Sequence, residues 1–533
     1  MSYIQDEDDI GLRLDGAGIF YGVFATVWTA AVVAGITYLV SNRSSPTLRI
    51  RGLHLSICAV ILLHCYWISV QIGYIVHNNM PGDGEYWIMG TWLPLGIAVF
   101  HASNSRFLHV AKAQKRFVDK VGEKPQTGSS KGVFGFYRRL DHINKVGVLV
   151  GAGITVQILT TIAMYLMSRK WHESWGIPGT EVHGATEYER REKMLRGWEW
   201  WHTVFWQFFW AWIFAPMILW RSRKIYDTQG WRLQTIACCV SSLHAAPMWL
   251  IALYVPQMDK VNRYFIPPQW IAVSIMFLEI FTIFLPCWQV MQQQNLRQEV
   301  LDTIAQWEAK SNFPVTSGKS MISGSTAIDS LGSKDSTLTS HSDESILTMG
   351  ALEHVLQRNP GPLLEFSALQ DFSGENIAFL VAVAAWKASF ATEADAKEQG
   401  EGKELNTQYE DALRIYADYV SSRDAEFQVN LPSPIHKKLE DMFEKSTREA
   451  YGDRSEVNPA TPFDVLDWPR RKASGSSGSS AITTTEEAGQ VAEGFSKTIF
   501  DEAEQSIKYL VLTNTWPKFV KQRQSSMVVS MEV

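Results

Sequence analysis

Seven runs of mostly apolar residues constrain the fold of this chain more than any other feature. Each run is about 20 residues long, the length that a helix needs to cross a hydrocarbon core of about 30 Å. A helix satisfies its own backbone hydrogen bonds, so it is stable in the hydrocarbon core, whereas an irregular segment or an open sheet edge is not. The sequence therefore predicts a seven-helix transmembrane bundle. The predicted spans are Ala17–Val40, Leu53–Val76, Tyr86–Val110, Val146–Met167, His202–Trp220, Leu233–Val255 and Trp270–Val290.

The charges of the predicted loops indicate how the chain lies in the membrane. The first, third and fifth loops are rich in lysine and arginine, whereas the second, "HNNMPGDGEY", has neither. Basic loops stay in the cytoplasm, so the N-terminus (residues 1–16) is expected outside and the C-terminus inside, in the plasma membrane. The first run lacks a basic n-region and a cleavage site before it, so we interpret it as a retained span and not a signal peptide.

Composition excludes some classes of function. The formal net charge of −6 argues against nucleic-acid binding. The five cysteines all lie in apolar runs, without disulfide or metal-ligand spacing, and we expect no metal and no cofactor. A charge at membrane depth is costly, so Glu279 in the last span is a candidate switch or ligand-binding residue, although a bond to a neighbouring helix would also explain it. The spans lack the acidic-Arg-aromatic and Asn-Pro-x-x-Tyr motifs of rhodopsin-like receptors.

The sequence changes character after the last span. Residues 291–348 begin with a stretch that places Leu296, Val300, Ile304 and Trp307 on one helical face, and continue as a linker poor in large apolar groups. Apolar periodicity then predicts a compact helical domain over 349–521, followed by a tail, 522–533. A low-complexity insertion lies at about 452–486. The predicted helices lie near 350–357, 362–370, 374–390, 405–422, 434–446 and 487–512.

Four phrases in this domain carry a family resemblance. They are "FSGENIAF", "ALRIYADYV", "VNL" and "IFDEAEQSIKYLVLTNTWPKF", in that order. Over Met349–Lys521 the chain resembles the regulator-of-G-protein-signalling (RGS) family. The resemblance implies a bundle of about nine helices that binds the switch segments of a Gα subunit and accelerates GTP hydrolysis without a catalytic residue of its own.

The resemblance also implies which residues face Gα. Ser373, Glu375 and Asn376 match the loop that meets the switches, with Ser373 expected to cap the helix that follows. The last helices complete the surface at Leu510, Asn514 and Lys518.

The chain departs from the family pattern at several positions. Leu380 stands where the family usually has Trp, Asn514 where an acidic residue is common, and Pro517 where a basic residue is usual. No counterpart of the family's interface asparagine occurs around 440–442. Binding to Gα is therefore expected, while full acceleration of hydrolysis is left open.

The combination of seven spans with such a domain is similar to the seven-transmembrane RGS proteins of plants and the receptor-RGS hybrids of filamentous fungi. The leading interpretation is a membrane-anchored regulator, not itself an enzyme, with a small extracellular ligand as a candidate signal. The alternatives are a receptor that catalyses exchange and carries built-in feedback, a channel or transporter with a regulatory tail, and a scaffold with a degenerate domain. The spans show no inverted repeat and almost no charged pathway, which disfavours transport.

The insertion contains a candidate regulatory site. In "RKAS" two basic residues precede Ser474, a pattern typical of sites for basic-directed kinases. A phosphate there would add nearly two negative charges beside the expected Gα-binding surface.

Overall fold

The computed structural model describes residues 12–76, 82–119, 142–172, 174–185, 187–311, 347–390, 401–425, 427–451 and 495–531. In these ranges the chain is all-helical, and strand pairing is limited to an isolated bridge between Ser168 and Ile177. The chain divides into two compact units. The first comprises Met1–Lys112 and Pro125–Val290, and the second Ala113–Lys124 and Met291–Val533.

The first unit contains most of the long apolar helices. Its helices, numbered in chain order, are α1 (Gly16–Ser41), α2 (Pro46–Arg51), α3 (Leu53–Val76), α4 (Gly82–Asp119, ending in the second unit), α5 (His142–Met167), α6 (Glu187–Leu195), α7 (Trp201–Phe208), α8 (Ala215–Ser222), α9 (Trp231–Ser242), α10 (Ala245–Tyr254), α11 (Asp259–Asn262) and α12 (Gln269–Glu279).

In the part of the chain that the structure describes, six helical segments are long and apolar enough to cross a membrane, as expected of a multi-pass membrane protein. They correspond to six of the seven predicted spans. The third predicted span, Tyr86–Val110, lies within α4, which is continuous but is not among the six. This span stays a prediction. The six segments are Gly16–Ser41, Leu53–Val76, Gly147–Met167, Trp198–Ser222, Trp231–Tyr254 and Gln269–Asp302.

Small residues let helices of the first unit approach closely. A Cβ added to Gly35 of α1 would lie 2.5 Å from the Ile283 side chain, and one added to Gly96 of α4 would lie 2.8 Å from the Leu63 side chain. Helices in membranes associate through such close packing, because lipid supplies no hydrophobic drive between them. Larger residues at these glycines would push the helices apart.

The second unit is built around aromatic side chains. Phe379, Tyr416, Phe443 and Phe500 are fully buried in one core. Phe372 and Ile377 are buried as well. The helices are α13 (Leu285–Ser311, starting in the first unit), α14 (Met349–Arg358), α15 (Gly361–Phe366), α16 (Gly374–Ser389), α17 (Glu401–Ile415), α18 (Ser433–Tyr451), α19 (Asp501–Leu510) and α20 (Trp516–Met531).

Most predicted helices of this unit are present, with ends that differ by up to several residues and one start that is wrong by 14 residues. The helix predicted to begin at 487 begins at Asp501, because residues 495–500 form a turn that buries Phe500. Short π-helical turns join several helices, among them Ser367–Asp371 before α16 and Val511–Thr515 between α19 and α20. The insertion, most of the linker and Ser474 lie outside the described residues.

Candidate functional site

A buried carboxylate organises the region in which the predicted Gα-facing residues lie. Asp371 ends the π-helical turn before α16 and is fully buried. Its Oδ2 accepts hydrogen bonds from the Ser373 and Thr515 hydroxyls, each at 2.9 Å. Its Oδ1 accepts one from Lys518 Nζ at 2.8 Å. Two segments far apart in the sequence are thereby joined at one acceptor.

The backbone after Asp371 is strained. Phe372 has a φ of 52°, in the left-handed region that bulky residues rarely adopt. Its ring is buried, and the next backbone N–H, that of Ser373, donates to Ser367 O at 2.8 Å. Such strain persists only where the surroundings hold it, and it occurs often at binding sites.

The prediction that the Ser373 hydroxyl caps α16 is wrong. Ser373 is the N-cap residue, but its side chain makes no capping bond because it donates to Asp371. A side chain from another segment caps the helix instead, since Gly374 N donates to Gln114 Oε1 at 3.0 Å. Gln114 Nε2 in turn donates to Glu375 Oε2 at 2.9 Å.

Asn376 lies in the first turn of α16 and is 6% exposed. Its backbone N–H donates to Ser373 O at 3.1 Å. Its side-chain oxygen, Oδ1, is buried and accepts no hydrogen bond from the described residues. A buried acceptor without a partner costs about 1–3 kcal/mol, so a donor group from a partner would be favourable at this position.

The last helices carry the remaining predicted residues, of which Asn514 and Lys518 join these hydrogen bonds. Asn514 is buried, and its Oδ1 accepts from Lys518 Nζ at 3.0 Å and from Gln293 Nε2 at 2.7 Å. Leu510 is half-buried and packs against the core. We call the group Gln114, Gln293, Asp371, Ser373, Gly374, Glu375, Asn376, Asn514, Thr515 and Lys518 the polar cluster.

Sequence reasoning missed several members of the polar cluster. Asp371 directly precedes the quoted "FSGEN" motif, so its position could have drawn attention. Gln114 and Gln293 carry no signal in the sequence, because each lies more than 200 residues from its partner. What the cluster offers chemically is a set of fixed hydrogen-bonding groups.

Glu279, the candidate switch residue, lies in the first unit at the end of α12 and is fully buried. Its Oε2 accepts from Trp28 Nε1 at 2.5 Å, and its Oε1 lies 2.8 Å from His64 Nδ1. The other ring nitrogen of His64 lies 3.1 Å from Thr29 Oγ1. A π-helical turn, Ile280–Phe284, follows directly, a feature frequent at functional positions in helices. Glu279 thus joins α1, α3 and α12.

Comparisons of this chain with protein-family models, with curated proteins and with solved structures found no match. In the part of the chain that the structure describes, His, Cys, Asp and Glu side chains form no group that could hold a metal ion.

Proposed function

We propose that this chain is a membrane-anchored regulator of G-protein signalling that binds the switch regions of a Gα subunit and accelerates its GTP hydrolysis. One observation carries the proposal: Ser373 and Lys518, which the RGS resemblance assigns to one surface, bond the same carboxylate of Asp371. The two residues are separated by more than 140 positions in the sequence. Motif positions that meet in space are what a shared binding surface requires.

The proposed mechanism is preorganisation of the partner. A Gα subunit already holds its catalytic arginine and its water-positioning glutamine. The regulator would hold the switch segments in the arrangement that the transition state needs, so it stabilises charge and geometry without new chemistry. Asn376 suits this role because its amide both donates and accepts, and its Oδ1 has no partner among the described residues.

The topology completes the proposal. We place a seven-helix bundle in the plasma membrane, with the N-terminus outside and the second unit, as an RGS-type bundle, in the cytoplasm. Gα subunits act at the cytoplasmic face, so the opposite orientation would exclude the partner. Basic loops one, three and five support this arrangement.

A scaffold that binds Gα without acceleration is the second candidate. Asn514 stands where the family favours an acidic residue, and its Oδ1 already accepts two hydrogen bonds within the chain. A neutral, occupied side chain cannot form the charge-assisted bond that a carboxylate would make to a switch segment.

Single-turnover GTP hydrolysis by a Gα subunit of the same organism tests the proposal. The full chain in lipid nanodiscs should increase the hydrolysis rate, and Asn376→Ala should weaken transition-state binding by about 1–3 kcal/mol. The matched control is Asn406→Ala, an exposed asparagine on α17. Binding of Gα in its transition-state-like form without any acceleration would favour the scaffold, and equal acceleration by Asn376→Ala and Asn406→Ala would contradict the placement of the surface.

A further inference from the structure

A cavity of about 40 Å³ lies in the first unit, lined by residues of α3, α4, α7, α9, α10, α12 and the π-helical turn Phe209–Phe214. One water molecule needs a cavity volume of roughly 10–15 Å³, so this cavity has room for more than one water. Most of its wall is apolar, with Leu93, Phe100, Trp210 and Ile275 among the lining residues. Apolar walls with a few polar groups are the usual lining of a small-molecule site, and the size of this cavity restricts the occupant to a few heavy atoms.

Two polar side chains in the wall have a buried atom without a partner among the described residues. His101 is 4% exposed and Gln207 6% exposed. His101 Nδ1 and Gln207 Nε2 are buried and make no hydrogen bond with the described residues. The imidazole of His101 is held in place, since it stacks on Trp210 with ring centroids 5.1 Å apart and meets Phe214 edge-on at 5.3 Å. His101 Nδ1 is therefore fixed, and an occupant that bonds both polar atoms would recover the cost of their burial.

The wall also indicates the charge and the polar group of the occupant. None of the residues that line the cavity is Asp, Glu, Lys or Arg, so a charged ligand would stay unpaired in an apolar setting. The Gln207 amide N–H requires an acceptor. His101 Nδ1 accepts in one tautomer and donates in the other, and a hydroxyl group can satisfy either. We propose that this cavity binds a small neutral molecule with an apolar body and one hydroxyl group.

Thermal unfolding of the full chain in nanodiscs tests this site with two matched probes, cyclopentanol and cyclopentane. Cyclopentanol should raise the unfolding temperature saturably and by more than cyclopentane, because only the alcohol can bond Gln207 and His101. Gln207→Leu and, independently, His101→Phe should each reduce the gain from cyclopentanol to that from cyclopentane. Thr37→Val, which removes an exposed hydroxyl from α1, is the control that keeps the full gain.

The proposal is overturned if the two probes stabilise the wild-type chain equally, or if cyclopentanol gives no saturable gain, as for a cavity that holds water only. It is also overturned if His101→Phe or Gln207→Leu keeps the full gain. None of these outcomes depends on a Gα partner.

A different observation carries a second inference, which rests on the proposed function. Two glutamine side chains of the same chain, Gln114 and Gln293, bond predicted Gα-facing residues, and we call these two side chains the cover. Gln114, at the end of α4, is fully buried and bonds both Gly374 N and Glu375 Oε2. Gln293 of α13 bonds Asn514 Oδ1.

The cover is tightly fitted. A Cβ added to Gly374 would lie 2.9 Å from Gln114 Oε1, so the Gln114 side chain is in close contact with the first residue of α16. One turn further along α4, the rings of Phe117 and Phe427 have centroids 6.2 Å apart. A partner that used Glu375 or Asn514 would have to displace these side chains. We infer that Gln114 and Gln293 hold the Gα-binding surface closed in this conformation, so that the regulator is self-inhibited.

The double variant Gln114→Ala, Gln293→Ala in the full chain tests this inference. Acceleration of GTP hydrolysis should rise several-fold over the wild-type chain, and hydrogen exchange of the Gly374 amide should become faster as its acceptor is lost. Gln298→Ala on α13 is the control, because among the described residues that side chain bonds Asp302 of its own helix alone.

The outcomes separate the two proposals. Unchanged or weaker acceleration by the double variant, with a wild-type chain that accelerates hydrolysis, overturns self-inhibition and leaves the proposed function standing. If neither the wild-type chain nor the double variant accelerates hydrolysis, the proposed function is wrong, and self-inhibition by Gln114 and Gln293 is wrong with it. Faster exchange at Gly374 without greater acceleration shows that the glutamine caps α16 and does nothing more.

Discussion

Glu279 in the first unit and Asp371 in the second are both fully buried carboxylates, yet they are satisfied by different partners. Glu279 is bonded by an indole N–H and lies against an imidazole, two groups with largely apolar bodies. Asp371 receives two hydroxyls and the ammonium of Lys518, whose side chain is 17% exposed. An ammonium can neutralise a buried carboxylate while part of it stays near water. Inside an apolar span a charged ammonium partner is costly to bury. Trp and His side chains supply hydrogen bonds to a carboxylate there at lower cost.

This comparison predicts that substitution of Asp371 lowers the free energy of unfolding more than any other change considered below. Replacing it by alanine removes the carboxylate that accepts from Lys518 and from two hydroxyls, and should destabilise the second unit by about 3 kcal/mol or more. Asp371→Asn should recover little, because an amide does not carry the charge that Lys518 needs. Urea unfolding of the full chain, followed by hydrogen exchange in α16, measures the loss. Asp411→Asn, on an exposed pair with Arg414, is the control and should stay near wild type.

Glu279 should respond differently to the same type of change. Glu279→Leu removes the acceptor of Trp28 and the partner of His64, with an expected loss of about 2–3 kcal/mol. Glu279→Gln should recover more than half of it, because its amide oxygen still accepts from Trp28. Thermal unfolding in detergent measures both, with Glu181→Gln on a partly exposed pair as the control. Equal losses for Glu279→Gln and Glu279→Leu would mean that the charge matters here as it does at Asp371.

A smaller, pH-dependent effect is expected from carboxylates of the second unit that pair near its surface. Burial opposes the shift, but hydrogen bonds from Lys387 and Lys508 hold the pKa of Glu504 below its ordinary value of 4.5. A carboxyl whose pKa is lower in the folded state stabilises the fold above its unfolded pKa. That contribution is lost as the pH falls from about 5 through the lowered value.

Unfolding of the second unit between pH 7 and pH 4 measures this effect. Glu504→Gln should flatten the acid part of the profile, whereas Glu502→Gln, an exposed position, should leave it unchanged. A profile for Glu504→Gln that falls as steeply as that of the wild type would show that other carboxyls control acid stability.

The smallest effect is expected at a fully surface-exposed pair. Lys438 Nζ lies 2.7 Å from Glu502 Oε1, with side chains 54% and 59% exposed. Solvent screens such pairs, so Lys438→Ala should change the free energy of unfolding by less than about 0.5 kcal/mol. A loss above about 1 kcal/mol in the same urea experiment would mean that exposure does not separate weak from strong pairs in this unit.

The sequence by itself determined the elements that depend on local pattern. The length and apolarity of a run such as Leu53–Val76 suffice for a membrane-capable helix, and apolar periodicity located α14, α16 and α17 within a few residues. It failed at residues 495–500, where burial of Phe500 in the core requires a turn that no local propensity announces.

Only the tertiary structure decided how the polar groups pair. The bonds of Asp371 with Lys518, of Gln114 with Glu375 and of Glu279 with His64 join residues 147, 261 and 215 positions apart. A residue's own neighbours in the chain set its helix and its buried face. They do not determine which distant donor will reach a buried acceptor, because that depends on how whole helices pack. For this reason the Ser373 hydroxyl bonds Asp371, although the sequence predicted that it caps α16. Gln114 caps α16 instead.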